Sequence, residues 1–282
     1  MPSMKIIKRR IASVKSTKQI MKAMNLVAAS KLQKAKGHLN STRPLLNETM
    51  SIMESLRHLE DVPENAFIKA RDVKSTAYVV VSSDKGLCGG YNSNVTKAAL
   101  AEMDKKNEKI IAVGAKGAYN LRRKNKNVLH KLTGVSDATF YEDAKNIGKI
   151  ITDLYLSGDI DEVYVIYTHF GSMISHQPRV EKILPLEQGA ADGEQKNVRM
   201  GHDPDIDAFL EHAVPMYINI FLYSALVESS VCEHAARMMS MDAAANNAGE
   251  IIEDLTLVFN RKRQNIITQE INEIVSGANA LK

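Results

Sequence analysis

The sequence predicts an α/β fold with a long antiparallel coiled coil, in which long N- and C-terminal helices form a shaft and the central part forms an open sheet. Three observations predict it. Apolar residues recur at alternating three- and four-residue steps from Met4 to Leu56, the same spacing returns from Leu210 to Phe259, and strand-like and helix-like runs alternate between Ser75 and Leu186. A seam sustained over so many turns needs another helix to cover it, and the two arms are obvious partners. The divisions predicted are a helix over 1–60, a linker over 61–74, an α/β domain over 75–200 and a second long helix over 201–282.

Composition fits this plan. The 282 residues suffice for one or two domains with a proper core. Aromatics are only 5%, Trp is absent and there are 13 Met, which favours thin helix–helix seams over a thick globular core. No run approaches the roughly eighteen uninterrupted apolar residues of a membrane helix, so no direct membrane span is expected, and no secretory signal is read at the start. Cys88 and Cys232 lack CxxC spacing and read as free thiols in a reducing compartment.

The N-terminal helix is read from Ser3 to about Leu59. Met4, Ile7, Ile11, Val14, Met21, Ala28, Leu32, Ala35, Leu39, Leu46, Met53 and Leu56 share one register, which also places Lys18 and Asn25 on the seam. Polar seam residues fix register and partner at some cost in stability. Pro44 predicts a local kink. Up to Asn40 the basic residues are Lys5, Lys8, Arg9, Arg10, Lys15, Lys18, Lys22, Lys31, Lys34 and Lys36, with no Asp or Glu among them. Such a block calls for an acidic partner. The seam is too regular for a solvated nucleic-acid arm and no aromatics are interleaved for base stacking. The segment also continues well past the length of an ordinary mitochondrial presequence.

The central segment changes period. TAYVVVSS reads as a buried strand, KIIAVG as a second, DEVYVIYTHF as a third, and RVEKILPL as a fourth paired with it across a turn near Gly171. VTKAALAEMDKK, GAYNLRRK and YEDAKNIGKIITDLYLSG read as intervening helices, the last ended by Ser157 and Gly158. Strand–helix alternation predicts a small open, Rossmann-like sheet with helices on its faces.

After a polar loop, Asp203 is placed as N-cap and Pro204 at the first helical position, with Asp205 and Asp207 in the positive first turn. Capping explains this acidic run better than metal binding, because no further ligands are suitably spaced. The seam then reads Leu210, Ala213, Tyr217, Ile220, Val227, Val231, Met238, Met241, Ala245, Ala248, Ile252, Leu255 and Phe259, with His234 also on it. Its register breaks at Ile266–Ile267, as when a helix changes packing partner.

Two strings invite a catalytic reading. DKGLCGG follows a strand but is neither GxxxxGK[ST] nor GxGxxG, so its glycines are read as turn formers. Ser82, Ser83 and Asp84 have no histidine near them in sequence to act as base. No catalytic, cofactor-binding or metal-binding residue is expected.

KIIKRRIASVKSTKQIMKAMNLVAASKL, SSDKGLCGGYN and the C-terminal EHAARMMSMDAAANNAGEIIEDLTLVFNRKRQNIITQEINEIVSGANAL occur in that order. Together they resemble the gamma subunits of F-type ATP synthases over essentially the whole chain. The resemblance implies a non-catalytic rotor shaft inside a ring of alpha and beta subunits. Its α/β domain would rest on the membrane rotor ring of c subunits beside the epsilon subunit. By matching position, Arg263 and Gln264 are expected to reach a beta-subunit loop, and Lys8, Arg9, Lys18, Lys22 and Met24 to face an acidic beta-subunit lever. Ile267, Ile271, Ile274 and Leu281 are expected to contact the ring's apolar collar, and Gly201, His202 and Asp203 to lie at the foot near the rotor ring.

The chain departs from the family at IMKAM, where Met21 replaces a usual hydroxyl, and at Gly201–His202. It lacks the chloroplast-type insertion with its cysteine pair. The implied location is peripheral, on the cytoplasmic face of a bacterial plasma membrane, with the matrix side of a mitochondrial inner membrane as alternative. A coiled-coil scaffold or adaptor accounts for the helices but not for the embedded α/β strings, and a small-molecule enzyme leaves both helices idle.

Overall fold

A computed structural model of the chain describes residues 3–57, 65–68, 71–103, 107–135, 138–173, 175–186 and 206–280. The foot residues Gly201, His202 and Asp203, the cap positions Pro204 and Asp205, Leu59, Leu281 and the polar loop after Leu186 lie outside them. The chain divides into two compact units, one of Met1–Ala29 with Arg237–Lys282, the other of Ser30–Ala236.

In the first unit, the beginning of α1 (Met4–Arg57) meets the later part of α5 (Ile206–Ala280). The seam has a strict heptad spacing. Met4, Ile7, Ile11, Val14, Lys18, Met21, Asn25 and Ala28 are all at least half-buried, while nearly every position between them is exposed. The polar seam residue sets the alignment: Asn25 Nδ2 donates to the Met238 carbonyl at 2.8 Å. Arm lengths alone predict that facing residue numbers sum to about 262, and this bond, 25 + 238, gives 263. Seven residues earlier on α1, Lys18 stands against Gly249, further along α5, so the helices are antiparallel and close to the expected register. Opposite, Met241, Ala245 and Ala248 are buried, and from Ile267 to Asn279 every α5 residue is exposed.

The second unit holds a five-stranded sheet in the order β3-β2-β1-β4-β5. Its strands are β1 (Thr76–Val81), β2 (Glu108–Val113), β3 (Val128–Leu132), β4 (Glu162–Phe170) and β5 (His176–Leu184). β1 pairs in parallel with β2 and β4, β2 pairs in parallel with β3, and β4–β5 is the antiparallel hairpin expected across Gly171. The sequence reading missed β3. Its residues VLHKL are mostly exposed, carry His130 and Lys131, and sit at the sheet edge, so no apolar run marks them. The helices are α2 (Tyr91–Glu102), α3 (Ala115–Arg122) and α4 (Phe140–Leu156). α2 starts at Tyr91, ahead of the expected Val95, and in its first turn Asn92 accepts the Ser83 N–H.

Period-two alternation sends side chains to both faces. Tyr78, Val80, Ile110, Ala112 and Ile166 form one core with Val95, Ala99, Ala118 and Leu121 of α2 and α3. On the other face Tyr167 meets Phe221 of α5 edge-on, and Tyr141 of α4 meets Tyr223. From Ser224 to Cys232 every α5 residue is buried. The helix here is covered on all sides, more than the single seam read from the sequence. An eighteen-residue window of α5 is apolar enough for a bilayer, but 78% of that window is buried inside the protein.

α1 also contributes to this unit, burying Leu32, Ala35, Leu39, Thr42, Thr49 and Met53. Thr42 and Thr49 continue the heptad although the apolar pattern skips them. Their hydroxyls donate to the His38 and Leu45 carbonyls one turn back, both at 2.8 Å, which satisfies a buried donor inside the helix. Pro44 lies within α1, which is assigned as helix without interruption from Met4 to Arg57.

Two predictions follow from this packing. Asn25→Cys with Met238→Cys should crosslink on oxidation, whereas Asn25→Cys with Ile274→Cys should not. The reverse pattern on non-reducing gels overturns the antiparallel register. Gly114 has φ +90, and a Cβ there would strike the Ser82 carbonyl. Gly114→Val should therefore destabilise the sheet unit by about 3 kcal/mol or more, read as a lower urea midpoint.

Candidate functional site

The exposed face of α1 is built by subtraction. With every third or fourth residue committed to the seam, Lys5, Lys8, Arg9, Arg10, Lys15 and Lys22 are left facing solvent. Among the described residues none of these cations enters an ion pair within the chain. Lys18 differs from them because it lies on the seam and is half-buried. A Cβ at Gly249 would stand 2.7 Å from Lys18 Nζ, so the missing side chain on α5 leaves room for the ammonium group. Met24 is half-buried. Bare apolar side chains stand among the lysines: Ile20, Val27 and Leu26, the last 70% exposed. Cations interleaved with exposed aliphatic groups make a surface suited to an acidic protein with apolar contacts of its own.

The end of α5 offers a second surface. Arg263 and Gln264 are exposed, and beyond them Ile267, Ile271, Ile274 and Val275 are bare, with Ile274 at 71%. The polar side chains here bond within their own helix, Thr268 Oγ1 to the Gln264 carbonyl at 2.9 Å and Gln269 Nε2 to Glu273 Oε1 at 2.9 Å. A shallow open depression lined by Asn265, Thr268, Gln269, Asn272, Glu273 and Ser276 lies along this single helix. It encloses nothing and offers no cavity for a small molecule.

The glycine-rich string is a structural latch. Ser82 Oγ donates to the Val113 carbonyl at 2.7 Å and accepts from Gly117 N–H at 2.9 Å. Ser83 Oγ lies against the Lys85 carbonyl at 2.6 Å and the Asn92 amide, and Asn92 Nδ2 points at Cys88 Sγ at 3.2 Å. Asp84 accepts Ala115 N–H on one oxygen at 2.8 Å, at the start of α3, and Gly134 N–H on the other at 2.7 Å. The hydroxyls and carboxylate that look nucleophilic in sequence are thus spent on backbone groups, and left-handed Leu87 and Gly89 turn the loop back toward α2. Among the described residues no three His, Cys, Asp or Glu side chains gather into a metal site.

Two clusters were not foreseen. Cys88 and Cys232, 144 positions apart, share one buried cluster with Tyr91, with Phe170 and Ala236 against it, and both thiols are free. Burial first, and then the Glu228 carboxylate, push the Cys232 thiol far above its usual range, so it stays protonated and unreactive. The other cluster joins Arg43, Glu228 and His169. Its only sequence signal was one acid inside the apolar run FLYSALVESSVC.

The comparisons with known proteins agree with one another. The family model described as ATP synthase matches residues 3–281. The ATP synthase gamma chain of Alkaliphilus metalliredigens is 43% identical, covering 99% of each chain, and that of Pelotomaculum thermopropionicum is 38% identical, covering 100% of each. Among solved structures, a chain of the Tetrahymena thermophila mitochondrial ATP synthase central stalk and c-ring matches with TM-score 0.65 and 27% identity, over 80% of this chain and 99% of that one. A chain of the Euglena gracilis mitochondrial ATP synthase rotor matches in fold with TM-score 0.72 at 15% identity, over 94% and 98%. With a family model spanning nearly its whole length and full-length relatives of this identity, the chain belongs to the ATP synthase gamma-chain family.

Proposed function

We propose that this chain is the central rotor shaft of an F-type ATP synthase, coupling ion flow through the membrane sector to ATP synthesis or hydrolysis by rotation. The observation that carries this reading is the fate of α5. Within one unit its periodic positions stay half-buried as far as Ile266, and from Ile267 it keeps an apolar face that no described residue covers. A lone helix of that length is marginal in water, so another chain must enclose it.

The partners are those the family resemblance implies, and the exposed cations and the apolar α5 face are chemically suited to them. The cations Lys8, Arg9, Lys18 and Lys22, with Met24, face an acidic lever of a beta subunit. Arg263 and Gln264 reach a second beta-subunit loop, and Ile267, Ile271, Ile274 and Leu281 sit in the apolar collar of the alpha–beta ring. Residues 1–60 and 201–282 serve as the shaft, 61–74 as a linker, and 75–200 as the domain that meets the epsilon subunit and the c-ring, with Gly201, His202 and Asp203 at the foot. The complex is peripheral to a membrane, on the cytoplasmic face in a bacterium. ATP chemistry belongs to the surrounding ring, and this chain supplies no catalytic group.

The deciding experiment is nucleotide hydrolysis by purified alpha and beta subunits with and without the chain. Hydrolysis should rise on its addition, and the isolated chain should turn over no ATP. Turnover retained by the chain after removal of contaminating ATPases sinks the reading. The double variant Lys18→Glu with Lys22→Glu should lower ion-driven synthesis several-fold, more than it lowers assembly, and the share due to exposed Lys22 should weaken as salt screens charges over a Debye length of about 10 Å. Synthesis equal to wild type in membranes carrying the double variant counts against the acidic lever.

A further inference from the structure

The C-terminal end of β4 is held by both long helices at once. Arg43 of α1 donates from Nε and Nη2 to Glu228 Oε1 of α5, at 3.3 and 3.1 Å, and Nη2 also donates to the Phe170 carbonyl at 2.8 Å. His169 Nδ1 donates to the other oxygen of Glu228 at 2.9 Å. Lys36, two turns before Arg43, stands over the Phe170 ring at 5.4 Å. Thr168 N–H donates to Ser229 Oγ at 3.3 Å, and Cys232 Sγ lies 3.5 Å from the Thr168 carbonyl. Three consecutive residues of one strand, Thr168 to Phe170, are thereby bonded to two helices distant in sequence.

The location is mechanically particular. Phe170 is the last residue of β4, which pairs with β5, the one antiparallel strand among the described residues. Glu228 is 5% exposed, and its two oxygens are divided between α1 and β4. A buried carboxylate shared in this way resists displacement of any one partner, because moving one leaves a buried charge incompletely compensated. Apolar surfaces slide with little change in energy, whereas two guanidinium nitrogens converging on one carboxylate oxygen make a directional contact that does not.

We propose that the Arg43–Glu228–His169 cluster is the joint that locks the α/β sheet to the paired helices, so that rotation applied to the sheet turns the helices without slip. The inference rests on the rotor reading above. These are positioning residues and none of them touches nucleotide. Hydrolysis without load needs only that the helices turn inside the ring, so it is insensitive to the joint. Ion pumping against a gradient, or ion-driven synthesis, sends torque through it.

The test uses the whole assembled complex in sealed vesicles, with Arg43→Lys and Glu228→Gln. Lysine keeps the charge but cannot bond Glu228 by two nitrogens and the Phe170 carbonyl together, and Arg43, with its side chain 43% exposed, tolerates the change. Unloaded ATP hydrolysis should match wild type in both variants, while ions pumped per ATP should fall roughly twofold or more once the directional pair is lost. A probe on the sheet should also show wider angular fluctuation relative to the ring. A purely structural role would lower the yield of assembled complex and leave the ions pumped per ATP unchanged. Wild-type stoichiometry and angular width in Arg43→Lys overturn the joint, even if Glu228→Gln fails to assemble. A wild-type chain that supports no rotation-coupled pumping overturns the rotor reading instead.

Discussion

The pairing of α1 with α5 in the first unit depends on alanine. Ala28 on one helix, and Ala245 and Ala248 on the other, are buried on the seam, where a larger side chain would hold the backbones apart. Small seam residues bury little area each, so stability here comes from repetition over many turns. They also bring backbone carbonyls within reach of side chains from the opposite helix. Asn25 uses that reach to bond the Met238 carbonyl, converting a continuous apolar seam that slides easily into one with a fixed register. The bare cations of α1 depend on the same register, because it decides which residues are consumed by the seam and which remain outside.

The sequence showed some layers of this structure and hid others for physical reasons. The α1 seam was readable because a period of 3.5 residues belongs to helix pairs and to little else. It was read incompletely at Thr42 and Thr49, where hydroxyls bonded to their own helix behave as small apolar groups. The parallel strands were readable from their β-branched runs, and β3 was not, since an edge strand needs no apolar face. Of the candidate surface, the cations and the isoleucine face of α5 were visible as pattern. The Arg43–Glu228 pair was not, because its members are 185 positions apart and neither carries a periodic signature. The pairing of Cys88 with Cys232 in one cluster was hidden in the same way.

Asp84 shows how a string that looks catalytic serves the fold instead. Its carboxylate joins the start of α3 to Gly134 beyond β3, holding together two segments that no strand pairing connects directly. Ser82 performs a similar task at Gly114 and Gly117, where lack of a Cβ allows the strand end and the helix start to touch. The density of Gly, Ser and Asp in this stretch reflects the geometry of a strand-to-helix crossover, and fold class alone would have assigned it a nucleotide.

Burial along α5 runs from complete, between Ser224 and Cys232, to none beyond Ile267. One continuous helix therefore spans the full range of local stability available to a protein, and its last turns must fray in the free subunit. A newly made chain carries a row of isoleucines that no described residue covers, the kind of surface that promotes self-association in a crowded cell. On the rotor reading, any supply of the chain beyond the ring that would cover this row is left open to aggregation and proteolysis, so the helix end would itself favour matched amounts.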